Sequence, residues 1–230
     1  MRTVLSVIVV MFMTTAAWAG LGLPNEAANP GFELTSGWTV TEGGGLLSQH
    51  LPYTNLSPYG VPKCPTNPGN YCGGVGAAGA SYPNGELSQI VDELGRPGWR
   101  DDGLAKLVEV DFYYYQKSLA DVNMHLGIYL DYMLDGGPID PQSPNYVKEL
   151  IGEIKNWDSG GWKSWSKDVL LPVQPRYLSL HLKFWGFTGT GVNIVDNVDL
   201  QGKCIPEPSS LLALGSGLIG LAGLAIRRRR

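Results

Sequence analysis

The amino-acid sequence predicts an all-β fold, an antiparallel β-sandwich, set between two terminal segments that serve export and membrane insertion rather than folding. Three observations predict it. Several stretches alternate apolar and polar side chains with period two, the pattern of strands with one face in a core. The 31 glycines and 16 prolines divide the chain into short pieces joined by turn-rich loops. Nowhere does strand alternate with amphipathic helix, as a parallel sheet would require.

At the N terminus, Arg2, an apolar run from Val4 to Val10 continuing through Phe12, and Ala17-Trp18-Ala19 ahead of Gly20 have the order of a secretory signal peptide. They supply its basic region, hydrophobic core and small-x-small cleavage site, and cleavage after Ala19 is expected. Residues 20–204 are then the length of one β-rich domain and show no internal repeat. The segments from Leu51 to Ala80 and from Gly136 to Asn145 are rich in Pro, Gly and Asn and read as long loops. From Val108 to Tyr115, alternation sends Val108, Val110, Phe112 and Tyr114 one way and Glu109, Asp111, Tyr113 and Tyr115 the other. Met124, Leu126, Ile128, Leu130 and Tyr132 share a second apolar face, opposed by Asn123, His125, Gly127, Tyr129 and Asp131. Leu178, Leu180, Leu182 and Phe184 form a third, opposed by Ser179, His181, Lys183 and Trp185. Shorter strand candidates are Glu86 to Val91, Ser164 to Leu171 and Asn193 to Leu200.

Setting aside Arg2, Arg227 to Arg230 and Glu207 leaves 12 basic against 20 acidic residues in the interior. Nucleic acid is therefore excluded as a partner, since phosphate binding needs clustered Lys and Arg. An acidic surface fits an extracellular protein that binds cations or neutral glycans. Three cysteines in an oxidising compartment are expected to pair. Cys64 and Cys72 are the natural pair, because Pro65 to Tyr71 is a turn-rich loop that returns on itself. Cys204 is then left over, although three single-bridge pairings are open.

The C-terminal residues run Pro206-Glu207-Pro208, then an uncharged stretch from Ser209 to Ile226, then Arg227, Arg228, Arg229 and Arg230. Leu211 to Ile226 is short for a helix that must cross a hydrocarbon core of ~30 Å, and the arginines fix its end on the cytoplasmic side. This arrangement over 205–230 resembles the PEP-CTERM sorting signal of Gram-negative envelope proteins. The resemblance implies transient inner-membrane anchoring and processing near Pro-Glu-Pro by an exosortase-type inner-membrane protease. Release to the cell envelope or the exterior would follow.

A second resemblance covers nearly the whole mature domain. Asn29-Pro30-Gly31-Phe32-Glu33 with Gly37-Trp38, then Gly85-Glu86-Leu87-Ser88-Gln89, then Ile194-Val195-Asp196-Asn197-Val198-Asp199-Leu200, look like the galactose-binding-like jelly rolls that include several carbohydrate-binding module families. Alternation in the last stretch places Asp196 on the face of Ile194, Val198 and Leu200, where an uncompensated carboxylate would cost several kcal/mol. Glu33 lies between Phe32 and Leu34. In the resembled modules, carboxylates at these two positions bind a structural Ca²⁺ with backbone carbonyls, so the resemblance implies Ca²⁺ on Glu33 and Asp196.

Sugars stack their C–H faces on aromatic rings while polar groups fix their hydroxyls. The faces opposite the core offer Tyr113, Tyr115, Tyr129 and Trp185 for stacking, beside His125, His181, Asp111, Asp131 and Lys183. Trp157, Trp162 and Trp165 form a second candidate platform. Catalysis finds little support, because His50, His125 and His181 lack metal-ligand spacing and no nucleophile-elbow motif occurs. The expectation is a non-catalytic carbohydrate-binding protein associated with exopolysaccharide. The alternatives are a structural or adhesive matrix protein that binds no sugar and, with less support, a glycan-active enzyme.

Overall fold

A computed structural model of the protein describes residues 27–42, 47–77, 82–91, 107–118, 124–155, 158–173, 175, 177–187 and 191–203. The expected signal peptide at 1–19, Cys204, the sorting segment at 205–230 and Trp157 lie outside the described residues. The described residues form strands β1 (Thr39–Glu42), β2 (Leu47–Pro52), β3 (Tyr71–Ala77), β4 (Tyr82–Val91), β5 (Leu107–Ser118), β6 (His125–Met133), β7 (Tyr146–Lys155), β8 (Lys163–Leu170), β9 (Leu178–Phe187) and β10 (Gly191–Lys203). One sheet has the order β1-β4-β9-β6-β7 and the other β2-β3-β10-β5-β8, with antiparallel pairing between the described strands. The expected antiparallel two-sheet sandwich is what forms.

The period-two stretches place the core. Val108, Val110 and Phe112 of β5 face Leu126, Ile128, Leu130 and Tyr132 of β6 and Leu178, Leu180, Leu182 and Phe184 of β9, all buried between the sheets. Inward and outward positions alternate because successive side chains of a pleated strand leave opposite faces.

Alternation fails in β10, and the failure moves Asp196. The pairing of β10 with β5 shifts register between Asp196 and Asp199, and Asn197 adopts φ 50°. A β-bulge of this kind inserts a residue and exchanges inward for outward beyond it. Val195, Val198 and Leu200 therefore face the main core, whereas Val192 and Ile194 enter a second cluster. Asp196 does not share the face of Val198 and Leu200 as alternation predicts; it precedes the bulge, on the side of Ile194.

That second cluster covers the outside of the β2-β3-β10-β5-β8 sheet. A 3-10 helix, Tyr53–Tyr59, lies there and buries Tyr53, Leu56 and Tyr59 against Leu51, Cys72, Tyr115, Val192 and Ile194. The stretch expected to be one long loop from Leu51 to Ala80 thus contains a helix and β3. Its glycines hid the strand from an apolar pattern. A Cβ on Gly73 would run into the ring of Phe32, one on Gly74 into the backbone of Asn193, and one on Gly76 into Leu56. Strand β7 also went unpredicted. It is an edge strand on which Lys148, Glu149 and Leu150 are exposed, so only Ile151 and Ile154 carry the buried pattern.

The opening motif Asn29–Glu33 plugs one end of the sandwich. Phe32, at φ 57° and fully buried, stacks on Trp38 with ring centroids 5.2 Å apart. Gln89 of β4 holds this segment by accepting from Ala28 N at 2.9 Å and donating to Ala28 O at 2.8 Å and to Gly37 O. Val198 N donates to Pro30 O at 2.9 Å, which ties the plug to the bulge of β10.

Candidate functional site

The β1-β4-β9-β6-β7 sheet brings β9 between β4 and β6, so outward residues predicted on separate strands become neighbours. His125 pairs in register with Trp185, Gly127 with Lys183, Tyr129 with His181 and Asp131 with Ser179. On the flanks, Glu86 pairs with Lys183 and Ser88 with His181, while Glu153 pairs with Gly127 and Lys148 with Asp131. The rows of Trp185 and of His181 are four residues apart on β9, a separation of roughly 13 Å.

The aromatic end of this face is built on a missing side chain. Trp185 stacks on His125, with ring centroids 5.1 Å apart and 15° between the planes. A Cβ on Gly127 would stand 2.6 Å from the Trp185 ring and 2.9 Å from the Tyr129 ring. Glycine there lets both aromatic side chains lie down over the sheet. Lys148 Nζ lies 5.4 Å from the centroid of the Tyr129 ring, a cation–π contact. Burial raises the Tyr129 hydroxyl above its usual range, with Glu153 and Glu86 adding to the shift.

The polar end is one connected network. His181 Nδ1 contacts Glu86 Oε1, and its Nε2 faces Asp131 Oδ2 at 2.9 Å, off the line of a good hydrogen bond. Tyr146 donates to Asp131 Oδ2, and Lys148 Nζ reaches Glu86 Oε2 at 3.4 Å. Burial by itself would lower the His181 pKa, but Asp131 and Glu86 on either side hold the imidazole above its ordinary value. The His181 hydrogen bond is in turn the main reason Glu86 stays below the usual carboxylate range. Nearby, His125 Nδ1 lies 2.9 Å and Lys155 Nζ 3.1 Å from the two oxygens of Glu153.

Of the nine predicted stacking and hydroxyl-fixing residues, Tyr129, Trp185, His125, His181, Asp131 and Lys183 thus share this face. Tyr113, Tyr115 and Asp111 do not. Tyr113 is on β5 in the opposite sheet, in register with Asp196 and Ser164. Tyr115 is only 5% exposed, because the 3-10 helix and Trp162 cover it, and it offers no ring face to a ligand. The two described members of the second tryptophan platform, Trp162 and Trp165, do not come together. Trp162 packs on Tyr115 and Tyr53 and donates to Pro62 O at 2.8 Å, whereas Trp165 stacks on Phe112 at 5.1 Å and covers Gly152 at the sandwich edge. The network partners Glu86, Glu153 and Tyr146 were missed. The first sits in the quoted Gly85-to-Gln89 motif, but the other two are on the unpredicted edge strand β7.

The expected Cys64–Cys72 disulfide is absent, and both residues are buried thiols. Cys64 Sγ lies against the Thr66 hydroxyl at 3.4 Å, and Cys72 Sγ against Leu51 O at 3.5 Å, so the two are turned to different partners. Burial pushes the Cys72 thiol well up, and Asp196, Cys64 and Glu33 add to the shift.

Asp196 is fully buried and its charge is met by donors alone. Tyr53 OH donates to Oδ2 at 2.6 Å, while Asn67 Nδ2 at 2.9 Å and Asn197 N at 2.7 Å donate to Oδ1. Burial, with a smaller push from nearby Glu33, raises its pKa to about 6 against the pull of these three bonds. Glu33 Oε1 accepts from Tyr71 N at 3.1 Å and would be struck by a Cβ on Gly69. Among the described residues no group of three or more His, Cys, Asp or Glu is placed to hold a metal ion. The residues still fit a hard cation that draws on carbonyls. Asn67 Nδ2 bridges Asp196 Oδ1 and Gly31 O, 3.2 Å away, so amide hydrogens fill a gap between oxygens that a cation would also bridge.

The fold is an antiparallel two-sheet β-sandwich like that of carbohydrate-binding modules. Among solved structures, the chain is similar to TmCBM61 in complex with β-1,4-galactotriose, at 17% identity over 77% of this chain and 98% of that one, with a TM-score of 0.50. It also matches the CBM22-1 xylan-binding domain from Paenibacillus barcinonensis Xyn10C (12% identity, 80% and 97% covered, TM-score 0.47). A third match is the K3 cleaved adhesin domain of Lys-gingipain from Porphyromonas gingivalis (14% identity, 78% and 99% covered, TM-score 0.46). At these identities the likeness is one of fold. A search of curated proteins found no match.

The particular family signal is at the C terminus: residues 205–230 match the PEP-CTERM protein-sorting motif. That motif implies export through a membrane-anchored sorting intermediate and processing by an exosortase.

Proposed function

We propose that the protein is an exported, non-catalytic glycan-binding protein that holds polysaccharide, in the first instance the cell's own exopolysaccharide, on the outer face of the β1-β4-β9-β6-β7 sheet. The observation that carries this reading is the convergence of Trp185 and Tyr129 above Gly127, with His125 stacked on Trp185 and with His181, Glu86 and Asp131 continuing the same face. Flat rings offer stacking surface and the polar network offers hydrogen bonds, the two parts that sugar recognition needs. Binding is favoured over hydrolysis because Glu86 and Asp131 are engaged by one imidazole between them. Neither is left as the independent acid or base that glycoside cleavage requires.

We also propose that Glu33 and Asp196, with Gly31 O and the Asn67 amide, hold a structural Ca²⁺. The support is a desolvated carboxylate with no basic partner, next to a second carboxylate. Such an ion would tie the N-terminal plug to β10 and would take no part in glycan recognition.

Affinity electrophoresis of the full chain in mild detergent, with exopolysaccharide or galactan in the gel, tests the main reading. Retardation that Trp185→Ala weakens, without release of reducing sugar, is expected. A folded protein that no glycan retards would give way to the structural-matrix reading, and carboxylate-dependent release of sugar would make it an enzyme.

A further inference from the structure

The charges on the proposed binding face are unevenly satisfied. Glu86 is held by His181 and Lys148, Glu153 by His125 and Lys155, and Asp131 by His181 and Tyr146. Lys183 is different. It stands on β9 between Trp185 and His181, directly across from Gly127, and its cross-strand neighbour Glu86 is turned to His181 and Lys148. Among the described residues Lys183 has no ion-pair or hydrogen-bond partner.

This matters because the interior of the chain is strongly acidic, so an unpaired ammonium in the middle of an aromatic face is set against the protein's overall charge. A neutral sugar would need acceptors as well as donors, and on this face both oxygens of Glu86 and of Glu153 already face an imidazole or an ammonium, while Asp131 Oδ1 is buried without a partner. What stays open among the described residues is the Lys183 ammonium, a point charge with three donors, flanked by a stacking ring on one side and an imidazole on the other.

From this placement we infer that the face selects an acidic polysaccharide, seating a sugar ring on Trp185 while Lys183 takes the anionic substituent, a carboxylate or a sulfate ester. The inference rests on the glycan-binding reading above and narrows its ligand class. It runs against the neutral glycan that overall acidity suggests.

The test is biolayer interferometry of the full chain in nonionic detergent on immobilised polygalacturonate, on the same polymer with its carboxyl groups reduced to hydroxymethyl groups, and on dextran sulfate beside dextran. Wild type is expected to bind one acidic polymer about threefold more tightly than its neutral counterpart, the scale of one exposed ion pair. Lys183→Gln should abolish that preference and Lys183→Arg should keep it, with unchanged circular dichroism in both. Preference for polygalacturonate identifies a carboxylate and preference for dextran sulfate a sulfate ester, each supporting the inference if it depends on Lys183. Equal binding to acidic and neutral polymers, or a preference that Lys183→Gln retains, overturns it and leaves glycan binding standing. Failure to bind any polymer overturns both.

Discussion

The indole of Trp185 and the imidazole of His125 lie nearly parallel, 15° apart in plane and 5.1 Å between centroids, on adjacent strands β9 and β6. The Trp185 ring lies over Gly127 together with that of Tyr129, so the absence of a side chain there lets the stacked pair extend as a flat surface. A ring held by its neighbours loses little freedom when a sugar stacks on it, so the contact is made at low entropic cost.

Removing the ring should therefore weaken binding without unfolding the domain. Trp185→Ala is expected to cost roughly 1 kcal/mol of glycan affinity, about fivefold. The neighbouring core residue Phe184 points the other way and is untouched. Affinity electrophoresis paired with thermal melting checks this, and a large drop in melting temperature would show that Trp185 serves the fold instead.

Gly127→Val makes a sharper test of geometry, because it removes no ring and changes only where the rings lie. Its Cβ would approach Trp185 and Tyr129 to 2.6 and 2.9 Å, so both rings must lift from the sheet. We expect glycan retardation to fall at least as far as in Trp185→Ala. Retained binding in a folded Gly127→Val protein would remove the role given to the flat rings.

How much of this was legible beforehand follows from the physics of each segment. Strands β5, β6 and β9 each turn one apolar face to the core, so alternation showed both their inner faces and the outward residues Tyr129, His125, Trp185 and His181. Alternation is local and does not say which strands are neighbours. Tyr113 carries the same signal as Tyr129, yet β5 joins the other sheet. Tyr115 is lost to the site through a 3-10 helix whose Pro- and Asn-containing sequence reads as a loop. The bulge at Asn197 left no mark in the apolar pattern, and so Asp196 was assigned to the wrong side.

Export and processing make a third prediction. Because residues 205–230 carry the sorting motif, mass spectrometry of protein released into the envelope or medium should detect peptides from the sandwich. No peptide containing Leu211 to Ile226 should accompany them. Replacing Glu207 within Pro-Glu-Pro should cause the uncleaved chain to accumulate in the inner membrane. A released form that keeps its arginine tail would contradict processing at this motif.

The last prediction concerns Asp196, whose carboxyl is pushed up to about 6 from an ordinary 3.8. A raised carboxylate pKa means the unfolded chain gives up this proton first as pH rises, so folding is opposed by ionisation. Without a divalent cation, stability should fall as pH goes from about 4 to about 6 and level off above, by up to about 3 kcal/mol from this group. Asp196→Asn should flatten that decline, since it removes the titrating group. Calcium would act with the opposite sign: it needs the ionised carboxylate, so its stabilisation should be absent near pH 4 and fully developed above pH 6. Thermal melting with calcium and with excess chelator, at pH 4, 5, 6 and 7, separates the two effects. A chelator-sensitive melting temperature at pH 7 that Asp196→Ala makes insensitive would support the cation. Identical melting at pH 7 with calcium and with chelator would leave Tyr53, Asn67 and Asn197 as the whole of what holds this buried charge.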